Sequence, residues 1–211
     1  MRNIKTYGQA LFEAKQDTAN FYFLEAAGKM DVQKALDMIE LGADLNAISN
    51  GGGNTIGIGW GALHYLVNRA FSSKSKKTIK ELIKAGADPN IRSKGYTPGL
   101  TPLHTVAKNM WRNKNEQNYV KLLLELGADV NALDDQGRNP LDSMIDKIED
   151  ARFYSPSDHY EVAKALLDGG STTKRSTKEL LDFFGGDPKW MQGLKREDVG
   201  RIIKTKSIFN V

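Results

Sequence analysis

The chain has 211 residues, 40% of them hydrophobic and 27% charged, with a net charge of +4 and no cysteine. That length is enough to bury a sizeable core, and the missing cysteine excludes disulfides and thiolate metal sites. No apolar run reaches the roughly 18 residues of a membrane span, and residues 1–7 lack the apolar stretch of a secretory signal, so a cytoplasmic protein with no membrane partner is expected.

Residues 1–20 contain Tyr7-Gly8-Gln9-Ala10-Leu11-Phe12-Glu13-Ala14, which predicts an N-terminal capping helix. Residues 21–49 form a first unit. Its stretch Leu24-Glu25-Ala26-Ala27-Gly28-Lys29-Met30-Asp31 is followed by Val32, Leu36 and Ile39 at helical spacing, and then by Glu40-Leu41-Gly42-Ala43-Asp44-Leu45-Asn46. Residues 50–93 open glycine-rich, with Ile56, Ile58 and Trp60, and pass through Gly61-Ala62-Leu63-His64. They reach a second periodic stretch, Ile79, Leu82 and Ile83, and the phrase Lys84-Ala85-Gly86-Ala87-Asp88-Pro89-Asn90.

Residues 94–134 repeat this plan with Thr101-Pro102-Leu103-His104, then Val120, Leu123 and Leu124, then Glu125-Leu126-Gly127-Ala128-Asp129-Val130-Asn131. Residues 135–173 do so with Asn139-Pro140-Leu141-Asp142, Val162, Leu166 and a degraded Leu167-Asp168-Gly169-Gly170-Ser171. With Gly169 as the fourth, the phrase glycines lie 44, 41 and 42 residues apart. Residues 174–211 are predicted to hold a short helix over 176–185 and another near 196–204. This segment has nine Lys or Arg against five Asp or Glu, so it carries the chain's whole excess of +4 and the preceding 173 residues are neutral.

Each phrase has a physical job. Thr or Asn before Pro-Leu is a helix cap, whose side-chain oxygen accepts from a free backbone N–H. Pro then takes the first helical position, where a missing donor costs nothing. The glycine after each periodic stretch suits the left-handed turn just past a helix end. Each unit thus reads as capped helix, connection, second helix, glycine stop and extended loop.

These phrases resemble the ankyrin repeat, with its Thr-Pro-Leu-His start and Gly-Ala-Asp-x-Asn exit; residues 101–131 match it best. The resemblance covers roughly residues 20–173. It implies an all-α solenoid of about four stacked helix-turn-helix pairs with hairpin-like loops and helical end caps, since one pair cannot bury its apolar face alone. It implies a monomeric, non-enzymatic module that binds another protein. His64 and His104 would tie adjacent units together, with Thr101, Pro102, Gly42, Gly86 and Gly127 as structural positions. Family binding surfaces are loop tips and the exposed face of each first helix. Those positions here are Trp60, Asn68, Arg69, Leu100, Lys108, Asn109, Gln136, Arg138, Asp146 and Lys147. Trp and Arg are common interface anchors, which puts Trp60, Arg69 and Arg138 first.

The period exceeds the family's, which is about 33 residues. The excess falls between the paired helices, at residues 71–77, 111–117 and 148–158, and in the loops at 49–61 and 94–100. The glycine-rich loop at 49–61 is expected to face solvent and to bind a partner through its apolar side chains. It lacks a complete GxGxxG and a following Lys-Ser/Thr, so no nucleotide or other cofactor is expected. The histidines show no metal-ligand spacing, and His159 is expected to be solvated. Asp134-Asp135-Gln136-Gly137 lacks the later Glu of a calcium loop and fits the repeat's turn better.

Two competing readings remain. Lys74, Lys76, Lys77, Arg112 and Lys114 on the inter-helix loops would bind nucleic acid or another polyanion, although the neutral body argues against a nucleic-acid partner. An enzyme would need a catalytic constellation, and no Cys nucleophile or GxSxG elbow is present. The last residues, 204–211, are basic then apolar, with Glu197 and Asp198 upstream. They resemble the C-terminal translocation signals of bacterial secreted effectors, which would place the protein inside a host cell.

Overall fold

A computed structural model describes residues 7–50, 59–68, 73–95, 98–109, 116–150 and 159–173, together with 175, 179, 180 and 183. Its helices are α1 (Tyr7–Lys29), α2 (Val32–Glu40), α3 (Ala62–Asn68), α4 (Ser73–Lys84), α5 (Pro102–Lys108), α6 (Glu116–Glu125), α7 (Pro140–Asp150) and α8 (Tyr160–Asp168). The first helices form a row, α1 on α3, α3 on α5 and α5 on α7, each with its partner helix behind it. Sandwiching of this kind explains why α3 and α5 are buried along all but their last residue. One continuous core runs from Ala19 and Phe23 through Leu66, Leu103, Leu141 and Leu166 to Leu180.

Helix starts follow the local chemistry. The Thr101 hydroxyl caps α5 by accepting from the His104 N–H, and Pro102 follows at the first turn. Asn139 Oδ1 accepts from the Asp142 N–H at 2.8 Å ahead of α7. Asp31 caps α2 through the Lys34 N–H at 3.2 Å.

Helix ends are one motif used four times. After α2, Gly42 N–H donates to Ile39 O and Ala43 N–H to Met38 O; the same pair of bonds recurs at Gly86 and Ala87, Gly127 and Ala128, Gly170 and Ser171. All four glycines have φ between 90° and 110°, the left-handed conformation that satisfies the last carbonyls of a helix. The fourth is Gly170, not Gly169, whose φ is −76°. The third spacing in the sequence therefore slips by one residue, because two glycines stand side by side where only the second reverses the chain.

Several expectations are corrected. The helix placed over residues 1–20 is not a separate cap: α1 runs unbroken from Tyr7 to Lys29 and includes the first helix of the first unit. Among the described side chains of α1, from Phe12 onward, the first buried one is Ala19, and Phe12 is 68% exposed. Lys74, Lys76 and Lys77 stand on α4, not in a loop. His159 is buried, at 3% exposure, in the position ahead of α8. Arg112, Lys114 and residues 196–211, including the segment likened to a translocation signal, lie outside the described residues, as do 51–58 of the glycine-rich loop. At the C-terminal side Glu179, Leu180 and Phe183 are helical, and Leu180 is buried.

Candidate functional site

Three loops, here called fingers, leave the exit glycines and return to the next first helix. Their bases are tied by one side-chain ladder. Asn20 Oδ1 accepts from Asp44 N–H at 2.7 Å, Asn46 Oδ1 from Asp88 N–H at 2.8 Å, Asn90 Oδ1 from Asp129 N–H at 2.7 Å, and Asn131 Oδ1 from Thr172 N–H at 2.8 Å. Within each finger Asp44, Asp88 and Asp129 turn back to accept from the N–H of Asn46, Asn90 and Asn131. The Asn of the repeated phrase is therefore a fastener that holds the next unit, and the Asp closes the turn of its own finger.

The histidines fasten the units a second time. His64 Nδ1 accepts from Gly61 N–H at 3.2 Å, which leaves Nε2 to donate to Leu100 O at 2.8 Å in the following unit. His104 does the same with Thr101 N–H at 3.2 Å and Arg138 O at 3.0 Å. Burial holds the His64 imidazole down at about 4, against the backbone hydrogen bond that favours its charged form. Burial also lowers His104. Both rings are neutral joints at neutral pH. In the fourth unit Asp142 replaces histidine. There the Thr173 hydroxyl donates to Asp142 Oδ1 at 2.6 Å, and Asn139 Nδ2 donates to Thr172 O.

At the C-terminal ends of α3, α5 and α7 the structure gathers five of the anticipated residues. Asn109 Nδ2 donates to the carbonyl and side-chain oxygens of Asn68. Lys147 Nζ donates to Lys108 O at 2.6 Å. Side chains of one unit thus satisfy the open helix-end carbonyls of the unit before it. Burial lowers the Lys108 ammonium, with Arg138 adding repulsion; burial lowers Lys147, with Lys108 adding repulsion. Asp146 lies beside them, 3.4 Å from Arg138 and 3.6 Å from Arg175, which also grips Glu149 at 2.6 Å.

The third finger is pinned by side chains of its own and of the second finger. Asp134, buried, accepts from the backbone of Gln136 at 2.9 Å and Arg138 at 3.0 Å, and from the Arg138 guanidinium at 2.8 and 3.0 Å. Burial would raise this carboxyl, but the Arg138 hydrogen bonds and charge outweigh it and hold it below its usual range. Arg92 of the second finger reaches across to Leu133 O and to Asp135 at 2.5 Å. Leu133 stands 53% exposed between these anchors, with Asp135 and Gln136 exposed beside it. Sequence reasoning missed Leu133, Arg92 and Asp135: an apolar residue between two polar turns reads as core until its neighbours are placed.

Other anticipated residues move off the surface. Leu100 is buried, at 5% exposure, where its carbonyl serves the His64 joint. Trp60 is half-buried and packs at 6.1 Å on His64 and 5.6 Å on Tyr65. It has the local packing site that a solvent-facing loop would deny it. The loop's base is also fixed: Ser49 N–H donates to Trp60 O at 2.9 Å, and Gly59 O accepts from Lys94 N–H at 2.7 Å. At φ +92°, a Cβ on Gly59 would fall 1.6 Å from Lys94 O, so only glycine permits this approach. Arg69 lies outside the described residues.

The family description Ankyrin repeats (3 copies) matches residues 63–177, more than half of the chain. The chain belongs to the ankyrin-repeat family. Its repeats are of a kind that generally mediates protein–protein interaction and is typically non-enzymatic. The ankyrin-repeat chain is 30% identical over 115 residues to the ARF GTPase-activating protein Git of Drosophila melanogaster, covering 54% of this chain and 13% of that protein. It is 36% identical over 90 residues to Rabankyrin-5 of Mus musculus and of Homo sapiens, covering 38% of this chain and 7% of those proteins. The similarity thus spans a small fraction of each relative's length. Among the described residues no helix is long and apolar enough to cross a membrane, and no group of three or more His, Cys, Asp or Glu could hold a metal ion.

Proposed function

We propose that this ankyrin-repeat chain binds a partner protein through the third finger and the adjoining concave face at the ends of α3, α5 and α7. The third finger carries the reading. It holds an exposed leucine on a backbone fixed from two sides, by Arg92 and by the Asp134–Arg138 cage. A preorganised apolar tip loses little conformational freedom on binding, and polar groups around it supply direction. Lys108, Asn109, Asp146 and Lys147 form the adjoining polar rim, Gln136 flanks the tip, and Arg138 acts from beneath as the finger's brace.

The test is quantitative affinity capture on the full chain, comparing wild type with a Leu133→Ala, Gln136→Ala double variant and with Lys108→Ala. Partners of this surface are depleted at least tenfold by the double variant, while the folded content measured by circular dichroism is unchanged. Recovery of every partner at wild-type level from both variants would place the binding face elsewhere.

A further inference from the structure

The second helices of the four units form the array's outer row, and one of them differs in charge. On α2 Lys34 is balanced by Asp37 and Glu40, on α6 Lys121 by Glu116 and Glu125, and on α8 Lys164 by Glu161 and Asp168. Helix α4 has Lys74, Lys76, Lys77, Lys80 and Lys84 against Glu81 alone. Lys34 and Lys164 are ion-paired, at 3.6 Å to Glu25 and 2.6 Å to Asp168. Among the described residues no ion pair neutralises Lys74, Lys77, Lys80 or Lys84, and all four are exposed.

This arrangement works against the helix. Lys77 and Lys80, and Lys80 and Lys84, stand at the spacings where like charges repel. Lys74, Lys76 and Lys77 crowd the N-terminal end, where the macrodipole disfavours cations, and the first turn has no acid. Lys76 is offset by the Tyr119 ring, but no ion pair among the described residues offsets Lys74, Lys77, Lys80 or Lys84, and local rules are most often broken at functional or strained sites.

We propose that the solvent face of α4 is a second docking surface, one that takes an extended acidic peptide segment of a partner protein. Its shape favours this occupant. The stripe from Lys74 to Lys84 is ten helical steps, roughly 15 Å, which an extended peptide spans with about five residues. The neighbouring second helices do not continue its charge, because α2 carries exposed Asp37 and Glu40 and α6 carries exposed Glu125. A flat anionic membrane or a nucleic-acid duplex would press its phosphates against those acids. A single-stranded nucleic acid needs aromatic platforms for its bases. Among the described residues none of the exposed large apolar side chains lies on α4, and Tyr119 next door is already covered by Lys76 at 5.1 Å.

The experiment uses the full chain and a fluorescent octaglutamate peptide, followed by anisotropy at low salt. Wild type binds, and affinity falls as salt rises. Lys77→Gln, Lys80→Gln, Lys84→Gln together weaken binding at least tenfold with an unfolding midpoint no lower than wild type. Lys80→Gln alone, the milder variant, weakens it about threefold, each lysine contributing part of an additive electrostatic term. Lys121→Gln with Lys164→Gln on the neighbouring helices leaves it unchanged, as does the Leu133→Ala, Gln136→Ala variant of the finger. No binding by wild type, or equal binding by the triple lysine variant, overturns the proposal. So does tighter binding of phosphatidylserine vesicles or an oligouridine, lost in the same variant, which would give α4 a different occupant. Loss of octaglutamate binding in the finger variant alone would move the acidic segment to the concave face.

Discussion

The joints at α3 and α5 hold successive units, whereas the joint at α7 ties the last unit to its own exit loop, and the chemistry differs. The first two use a buried imidazole as a two-ended peg, accepting from its own helix start and donating to a carbonyl of the next unit. The last uses a carboxylate that receives a hydroxyl from Thr173, beside an amide that reaches Thr172. What is preserved is a bridge from helix start to the next loop. What changes is its cost: a histidine peg must stay neutral in a dry place, so the array's middle is sensitive to acid.

The largest effect expected on this comparison is from His64→Ala. It leaves a cavity in the core and strips the partners of the Gly61 N–H and Leu100 carbonyl, a loss of about 4 kcal/mol. Urea unfolding at pH 7 measures it, and a loss under about 1 kcal/mol would mean that the peg is incidental. Acid comes next. Folded His64 stays neutral down to about pH 4, whereas an unfolded imidazole takes a proton near 6.5. Unfolding therefore binds a proton in that window. The contribution is complete above about pH 6.5 and falls by about 3 kcal/mol as pH drops to 4. His104, shifted the same way, adds to the fall. Urea unfolding repeated between pH 7 and 4 should show a slope that flattens in His64→Gln; an unchanged slope would remove His64 from the acid response.

Asn90→Ala tests the ladder at the finger bases. It deletes an acceptor for Asp129 N–H and a donor to Gly127 O, for about 2 kcal/mol. The smallest change is Thr173→Val, which keeps shape and removes one hydroxyl from the last joint, about 1 kcal/mol. If Thr173→Val cost as much as His64→Ala, the two kinds of joint would be energetically equivalent and the contrast between them would fail.

Much of this was legible in the sequence because its causes are local. Thr101-Pro102 and Asn139-Pro140 announce helix starts through one side chain and one ring, and Gly42, Gly86 and Gly127 announce helix ends through a backbone conformation. The start of α4 was hidden because lysines crowd a position where acids are the usual signal. Trp60 was expected to face solvent, and Leu133 was not singled out at all. One is apolar in a loop and finds Tyr65 and His64; the other is apolar in a loop and stands 53% exposed. Only the fold decides which neighbour a loop residue meets. The roles of Asn46, Asn90 and Asn131 were hidden for the same reason: each spends its side chain on another unit.

That ladder also bears on how such a chain can change length. Each asparagine offers its amide to a backbone presented identically by the next copy, so a duplicated unit would find the same donor and acceptor waiting on either side. A deleted fraction of a unit would not, because it would strand one half of a link. Growth by whole copies is therefore nearly seamless, and Thr172, which receives Asn131 with its backbone N–H and its hydroxyl, is the last buckle of the belt among the described residues.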